Sequence, residues 1–326
     1  MVDAARELSP ETKASDEPLP NVRGRYTPNA PLGKVGWFRT GGTADMLFKP
    51  ADIEDLQDFM AQRQAATPTP TPVNILGVLS NSIIRDNGVE GITIRLGREF
   101  ASIEERDDHC LYIGAAVLDV NAAEFAAEKN IAGLEFLCGI PGSIGGALAL
   151  NAGAYGSEIK DVLISAEFLD EQGNRKSLSA DDLNMSYRHS EIPKNWIAIG
   201  ATLKGHSGET EKIKAHMTDI REKRAQTQPI RSQTGGSTFK NPKAEDLEKA
   251  GLPLDTKAWQ LVDKVGGRGL RIGGAQMSEQ HANFMINTGS ATASDLESLG
   301  EEVRRRVKEN CNGYDLKWEI ARFGRL

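Results

Sequence analysis

The chain of 326 residues is poor in cysteine and aromatic residues, lacks long apolar runs, and has no excess of positive charge. Its 39 Lys and Arg against 46 Asp and Glu give a net charge of −7. This balance argues against nucleic acid as a partner, but it leaves room for a local basic pocket that binds an anionic substrate. No apolar run approaches the roughly 18 residues of a transmembrane helix, and the mean hydropathy is −0.41. We therefore expect no membrane insertion.

The chain also lacks an N-terminal apolar segment of the kind found in secretory signals. Its three cysteines are odd in number and widely spaced, at Cys110, Cys138 and Cys311. This usage indicates reduced thiols and a cytoplasmic protein. The five histidines show no metal-ligand spacing, so no metal is expected, and no obligate protein partner is evident. The length predicts two or three domains with a sizeable core.

The most informative stretch runs from Gly133 to Gly156 and contains glycines at positions 139, 142, 145, 146 and 153. Backbone without a Cβ can turn with positive φ and lie against a ligand, and successive N–H groups in such a turn bind phosphate or pyrophosphate. The spacing differs from the G-x-G-x-x-G of dinucleotide-binding folds, and the sequence shows no clear strand-to-helix turn around it. A tight turn between buried elements is the plain alternative. The apolar residues between the glycines favour a buried, ligand-facing loop.

This stretch carries a resemblance. Gly139-Ile-Pro-Gly-Ser-Ile-Gly-Gly-Ala, followed by Asn151-Ala-Gly-Ala-Tyr-Gly, resembles the flavin-diphosphate loop of the UDP-N-acetylenolpyruvoylglucosamine reductase (MurB) family. Similar blocks run from about Pro31 to Gly324, so the resemblance covers nearly the whole chain. It implies an α+β protein with the two-subdomain FAD-binding fold of the vanillyl-alcohol-oxidase (PCMH) type and a C-terminal α+β substrate domain.

The resemblance further implies noncovalent FAD. The residues that it assigns to the cofactor are Gly77, Ser80, Asn81, Ile140, Pro141, Gly142, Ser143, Gly145, Gly146, Asn151 and Gly153. The first of these lie in Leu76-Gly-Val-Leu-Ser-Asn, which is similar to the family's G-x-G-S-N block. Leu79 stands where the family usually has its second glycine, and we expect flavin binding there only if φ is negative. A simple hairpin turn is the alternative for this block.

The domain organisation follows from the same alignment of blocks. We expect a disordered leader at residues 1–20, FAD-binding subdomains at 21–100 and 101–205, a substrate domain at 206–312, and a C-terminal strand at 313–326 that returns to the active site. Apolar periodicity predicts strands at residues 46–48, 73–76, 92–96, 162–169 and 197–203, and helices at 122–127, 209–225 and from Trp259. Asp52 is predicted to cap a helix, and Ser294 to Glu297 to form the capping box of the last one. Residues 67–72 form a stiff connection, and Arg304 to Arg306 a solvated face.

Three residues carry the chemistry that the resemblance implies. Arg188 in Tyr187-Arg-His-Ser matches the arginine that contacts the substrate carboxylate, Ser237 in Gly-Gly-Ser-Thr-Phe-Lys-Asn-Pro matches the proton donor, and Glu319 matches the closing strand's glutamate. A guanidinium fork suits a carboxylate, and a hydroxyl suffices to protonate a carbanion-like centre. Ala321 departs from the family's basic residue, and Arg322 is an open substitute. The implied substrate contacts are Tyr187, Arg224, Gln228, Lys240, Asn241 and His281, although a structural role is equally open for the histidine.

The implied reaction is NADPH-dependent, FAD-mediated reduction of UDP-N-acetylglucosamine enolpyruvate to UDP-N-acetylmuramate, a step of peptidoglycan synthesis that serves cell-wall biogenesis, cell shape and division. NADPH would reduce the flavin and leave before this small UDP-sugar enters the same cleft. The short interval between Arg188 and Trp196 points to the second class (type II) of these reductases. Two alternatives remain: another FAD-linked oxidoreductase of the same fold, and a catalytically silent flavin- or UDP-sugar-binding protein. The joint presence of the three catalytic residues favours the reductase.

Overall fold

The computed structural model describes residues 19–66 and 71–326. The predicted leader at 1–20 and the connection at 67–72 therefore lie largely outside the described residues. No helix in the described part of the chain combines the length and the apolar character that a membrane span requires.

The N-terminal unit is a four-stranded sheet covered by one helix. Its elements are β1 (Arg25–Pro31), β2 (Thr43–Lys49), α1 (Ile53–Ala66), β3 (Val73–Ile75), β4 (Ser82–Ile84) and β5 (Val89–Ile94). The sheet order is β1-β2-β5-β3, in which β2, β5 and β3 are parallel and β1 is antiparallel to β2. The side chain of Asp52 accepts a hydrogen bond from the N–H of Asp55 at 2.9 Å, which confirms the predicted cap of α1. Phe48, Leu56 and Phe59 are fully buried between sheet and helix.

The second unit is built on an antiparallel sheet. Its elements are β6 (Ile103–Arg106), β7 (Cys110–Gly114), α2 (Asp119–Glu128), β8 (Ile131–Ala132), α3 (Ile144–Leu150), β9 (Gly153–Ala154), β10 (Ser157–Glu158), α4 (Ile159–Val162), β11 (Leu163–Leu169), β12 (Arg175–Leu178), β13 (Ile197–Lys204) and β14 (His206–Ser207). The main sheet has the order β12-β11-β13-β7-β6. Helix α3 lies within the glycine-rich stretch and follows a short 3₁₀ helix at Glu135–Gly139, so no strand leads directly into it. Its residues Ile144, Ala147 and Leu148 are buried.

The C-terminal unit combines four helices and a small antiparallel sheet. Its elements are α5 (Thr210–Thr227), β15 (Gln233–Ser237), α6 (Ala244–Lys249), α7 (Ala258–Lys264), β16 (Arg271–Ile272), β17 (Ala275–Met277), β18 (Phe284–Asn287), α8 (Ala293–Asn310) and β19 (Ala321–Phe323). The sheet order is β15-β18-β17-β16. The capping box of α8 is formed by Thr292 and Asp295, so the prediction of Ser294 and Glu297 was wrong by two residues. The apolar residues that α8 turns toward the core are fully buried, namely Leu296, Leu299, Val303 and Val307.

One arginine of α8, Arg304, is bound by two carboxylates. Arg304 pairs with Glu301 and Asp315 at 2.6 Å each, and its side chain is only 25% exposed. The predicted solvated face at 304–306 is therefore wrong for this residue. Strand β19 then pairs in parallel with β4, and Ala321 lies opposite Ser82. This pairing carries the C-terminus of the chain back to the first sequence block that resembles a flavin loop.

Candidate active site

The two blocks that resemble flavin loops lie against each other. A Cβ on Gly77 would lie 3.1 Å from Ser143 Oγ, so the first block touches the second where glycine leaves room. Within the described residues, the backbone N–H groups of Leu79, Ser80, Gly142 and Ser143 make no hydrogen bonds to the chain. Unsatisfied N–H groups on turned backbone are the donors that a diphosphate requires. The residues present therefore fit the diphosphate of FAD.

Leu79 has a left-handed backbone conformation in the first block. Its φ is +57°, in the left-handed region, and its side chain is 5% exposed among the buried residues Leu32, Leu76 and Val89. The negative φ that was expected to accompany flavin binding at this residue is therefore not found. Burial of the side chain offsets the cost of a left-handed leucine.

A carboxyl group that the sequence analysis missed lies behind the second block. The N–H of Asp119 donates to the Gly142 carbonyl at 3.1 Å, and its Oδ2 would lie 2.6 Å from a Cβ on Gly142. Asp119 is fully buried, and neither carboxyl oxygen has a hydrogen-bond partner in the described residues. Burial raises the pKa of this carboxyl well above its ordinary value, which favours the neutral form. A neutral acid avoids placing negative charge behind a site for a diphosphate.

The predicted catalytic arginine occupies a tight turn. Ser186 and His189 exchange backbone hydrogen bonds of 3.0 Å each, which closes the turn around Tyr187 and Arg188. Arg188 has a φ of +53°, and its guanidinium stands 5.5 Å from the Tyr187 ring. Its Nε donates to Glu319 Oε1 at 2.8 Å, and its Nη1 donates to the Gly153 carbonyl at 3.1 Å. Residues 131 positions apart thus form an ion pair.

Glu319 is held from two sides by backbone contacts. Its N–H donates to the Thr238 carbonyl at 2.8 Å, and its own carbonyl accepts from Asn81 Nδ2 at 3.1 Å. Burial raises the pKa of the Glu319 carboxyl, while the charges of Arg188 and Lys240 act in the opposite direction. The C-terminal segment therefore places a largely buried carboxyl group between the first flavin block and the strand that carries Ser237.

Ser237 ends β15 with its hydroxyl uncommitted. It lies opposite Phe284 in the ladder, next to Thr238, and follows Gly236, whose φ is +82°. Its Oγ has no hydrogen-bond partner among the residues that the structure describes. Phe38 lies over the preceding Gly235, where a Cβ would come within 2.4 Å of the ring. The turn thus needs a glycine at 235, and it leaves the hydroxyl free to act on a bound molecule.

Three of the predicted substrate residues lie around Arg188, namely Tyr187, Lys240 and Asn241, and the fourth, His281, lies in the loop before β18. Lys240 Nζ donates to the Arg188 carbonyl at 3.2 Å. Asn241 Oδ1 accepts from the Ala258 N–H at 3.1 Å. Asn241 lies beside Tyr187, which is 43% exposed. His281 Nδ1 accepts from the Asn283 N–H at 3.2 Å, which leaves Nε2 as the donor of the neutral ring. Burial lowers the pKa of this histidine, so the neutral form dominates at neutral pH.

The remaining two substrate candidates form a separate cluster. Arg224 Nε donates to Gln228 Oε1 at 3.0 Å, and burial lowers the pKa of the guanidinium. Tyr155 accompanies them, since its ring would lie 2.8 Å from a Cβ on Gly139 and its phenol acts electrostatically on Arg224. Tyr155 is 43% exposed and was not among the predicted site residues. The sequence feature that could have indicated Tyr155 is an aromatic residue between two glycines in Asn-Ala-Gly-Ala-Tyr-Gly.

Two further predicted residues make contacts within the chain. Arg322 pairs with Glu301 at 3.2 Å and stacks 4.7 Å from the Trp318 ring, so it faces α8 and does not replace the basic residue absent at Ala321. Asn151 is fully buried, and both of its polar side-chain atoms bond within the chain. No group of His, Cys, Asp and Glu in the described residues is arranged to hold a metal ion.

Two regions of the chain match models of known protein families. A model of the FAD binding domain matches residues 44–179, and a model of the UDP-N-acetylenolpyruvoylglucosamine reductase C-terminal domain matches residues 228–323. The UDP-N-acetylenolpyruvoylglucosamine reductase of Parvibaculum lavamentivorans is 50% identical over 313 residues, which is 96% of this chain and 96% of the relative. That of Acidiphilium cryptum is 51% identical over 306 residues, or 94% of each chain. The chain belongs to the UDP-N-acetylenolpyruvoylglucosamine reductase family.

A solved structure of this reductase family gives the same result. The crystal structure of UDP-N-acetylenolpyruvylglucosamine reductase (MurB) from Thermus caldophilus superposes with a TM-score of 0.74 at 30% identity, covering 93% of this chain and 100% of that chain. The predicted family, the α+β fold class with its FAD-binding fold and C-terminal domain, and FAD as cofactor are confirmed. The chain is thus a flavin-dependent oxidoreductase of the UDP-N-acetylenolpyruvoylglucosamine reductase family.

Proposed function

We propose that this chain reduces UDP-N-acetylglucosamine enolpyruvate to UDP-N-acetylmuramate in the cytoplasm, as a step of peptidoglycan precursor synthesis, with NADPH as the electron donor. The observation that carries the proposal is the 2.8 Å pair of Arg188 and Glu319, which joins a turn of the FAD-binding unit to the C-terminal segment beside Ser237. An oxidase of the same fold needs the flavin blocks but has no use for this carboxylate-binding constellation.

Each residue has a role that follows from its contacts. Reduction of the enolpyruvyl group leaves negative charge that spreads into its carboxylate. Arg188 opposes this charge, because a planar guanidinium held at Nε and Nη1 keeps a further N–H donor for the substrate. Bound FAD would supply the hydride. Ser237 delivers the proton to the adjacent carbon from its uncommitted hydroxyl, and Glu319 orients the guanidinium and polarises the enol ether.

The rest of the chain binds the cofactor and the nucleotide sugar. Residues 21–100 and 101–205 form the two FAD-binding subdomains, residues 206–312 bind the UDP-sugar, and residues 313–326 return Glu319 to the site. The backbone of residues 77–81 and 139–146 would hold the diphosphate of FAD. Tyr187, Lys240, Asn241, His281, Arg224 and Gln228 contact the substrate. The direct passage from the Arg188 turn to β13 at Ile197 supports assignment to the second class, with no loop that covers the substrate.

One anaerobic experiment tests this proposal. Denaturation of the purified protein releases FAD into the supernatant, which establishes noncovalent binding. NADPH then bleaches the flavin, and addition of the enolpyruvyl nucleotide sugar restores the oxidised spectrum with formation of UDP-N-acetylmuramate. Bleaching by NADPH without reoxidation by the sugar would refute the reductase. It would favour a silent UDP-sugar-binding protein, whereas bleaching by an alcohol would favour another FAD-linked oxidoreductase.

A further inference from the structure

Asn151 lies where helix α3 ends, 35 residues before the turn that carries the catalytic arginine. Its Nδ2 donates to the Ser186 carbonyl at 3.0 Å, and its Oδ1 accepts from the Lys160 N–H at 2.9 Å. The residue is fully buried and has a φ of +40°. Both polar atoms of its side chain therefore bond to neighbouring backbone.

The turn that Asn151 contacts is under backbone strain. Arg188 occupies a left-handed position with a φ of +53°, which is unfavourable for an L-residue with a long side chain. Such a conformation persists only where surrounding contacts impose it. The contacts here are the Ser186–His189 pair, the bond from Lys240 to the Arg188 carbonyl, and the bond from Asn151.

The same segment also holds the guanidinium. Gly153, two residues after Asn151, accepts from Arg188 Nη1 at 3.1 Å through its carbonyl. Residues 151–153 thus bind the start of the turn through a side chain and the tip of the arginine through the backbone. Helix α3 begins at Ile144, directly after Ser143 of the second flavin block. A single rigid element of seven residues therefore connects the flavin block to the arginine.

We propose that Asn151 is a positioning residue for the catalytic arginine. Its amide fixes the Ser186 carbonyl, and with it the strained turn that aims the Arg188 guanidinium at Glu319 and the substrate carboxylate. Asn151 does not touch the reacting atoms, and the inference rests on the proposed function of Arg188. Because α3 bears the flavin block at its other end, the arginine is set relative to the flavin by the length of this helix.

Asn151→Asp tests the donor alone. The introduced carboxyl keeps the acceptor for the Lys160 N–H and tolerates a left-handed backbone, but in its ionised form it cannot donate to the Ser186 carbonyl. We expect reoxidation of the reduced flavin by the enolpyruvyl sugar to slow by roughly 10- to 100-fold, or about 1.4–2.8 kcal/mol in barrier height. Bleaching by NADPH should remain within about twofold of wild type, because that half-reaction needs no carboxylate contact. FAD content and the dissociation constant of FAD should also stay unchanged.

Asn130→Asp is the matched control. Asn130 is exposed and has a φ of +59° just after α2. Its Oδ1 accepts from the Thr210 hydroxyl at 2.7 Å, and its Nδ2 donates to no group among the described residues, so the same chemical change removes no donor bond there. It should react like wild type in both half-reactions.

Asn151→Gly is a second test variant, included because the carboxyl group that Asn151→Asp buries could prevent folding. Glycine adopts the left-handed backbone without strain and introduces no charge, and it should slow reoxidation to a similar degree. Equal loss of FAD affinity and of both half-reactions in the two Asn151 variants would assign the residue to general stability and overturn the inference. Wild-type reoxidation in either folded variant would overturn it as well. If wild type and Asn130→Asp themselves fail to reduce the sugar, the proposed function is wrong instead.

Discussion

Replacement of Arg188 by lysine separates the two half-reactions most sharply. The guanidinium makes two polar contacts at once, to Glu319 at 2.8 Å and to the Gly153 carbonyl at 3.1 Å, and it presents a face to the Tyr187 ring. An ammonium group carries the same charge as a single point on a flexible stem. The ammonium group can pair with Glu319 or approach the substrate carboxylate. It lacks the planar set of N–H donors with which a guanidinium binds both at once.

The magnitude follows from the bonds that are lost. A hydrogen bond to a charged group contributes about 1.5–3 kcal/mol, and the loss of one such bond in the transition state slows the reaction by roughly 10- to 150-fold. We expect this loss in reoxidation by the enolpyruvyl sugar. Reduction of the flavin by NADPH should change little, because the hydride donor has no carboxylate that requires Arg188.

Stopped-flow absorbance of the flavin measures both steps in the same preparation. Wild type and Arg188→Lys are compared at matched FAD content, first with NADPH and then, after bleaching, with the sugar. A variant that slows both half-reactions equally would indicate a defect of the flavin site or of folding. A variant that reoxidises at the wild-type rate would refute the role of the guanidinium fork.

Three further predictions concern single side chains. Ser237→Ala should keep FAD binding and flavin reduction but slow reoxidation by roughly 10²–10⁴-fold, with partial recovery in Ser237→Cys; an alanine variant within a few-fold of wild type in stopped flow excludes the hydroxyl. Leu79→Gly should lower the melting temperature, because loss of the buried side chain costs about 2–5 kcal/mol and relief of left-handed strain returns only about 1–2; a raised melting temperature would contradict this. Folding raises the pKa of Asp119 above the unfolded value of about 3.9, so its stabilising contribution is complete below that pH and is lost as pH rises through the folded pKa. Asp119→Asn should therefore gain more stability over wild type at pH 8 than at pH 4.5 in calorimetry, and an equal gain at both would show that the carboxyl does not titrate.

The local chemistry of the chain was readable from its residues. Asp52 before an apolar helix predicted a cap, and the cap formed, because such a signal depends only on residues three or four positions away. The blocks around Gly77, Gly142 and Ser237 carried the family resemblance for the same reason: each is a short continuous segment whose residue types suit one task. Leu79 marks a limit of such local signals, because its residue type did not indicate the left-handed backbone that it adopts.

The arrangement between segments was decided by the tertiary structure. Nothing near Arg188 in sequence indicates that its partners are Glu319, 131 residues away, and the carbonyl of Gly153. Asn151 resembled a cofactor residue because it stands in a glycine-rich block, yet its amide bonds to the Ser186 carbonyl. Asp119 gave no signal at all, because an aspartate becomes an isolated buried acid only when a loop closes over it. The residue type determines which bonds a side chain is able to make, whereas the packing of distant segments selects its partner. The candidate active site is built from such pairs of residues that are distant in sequence.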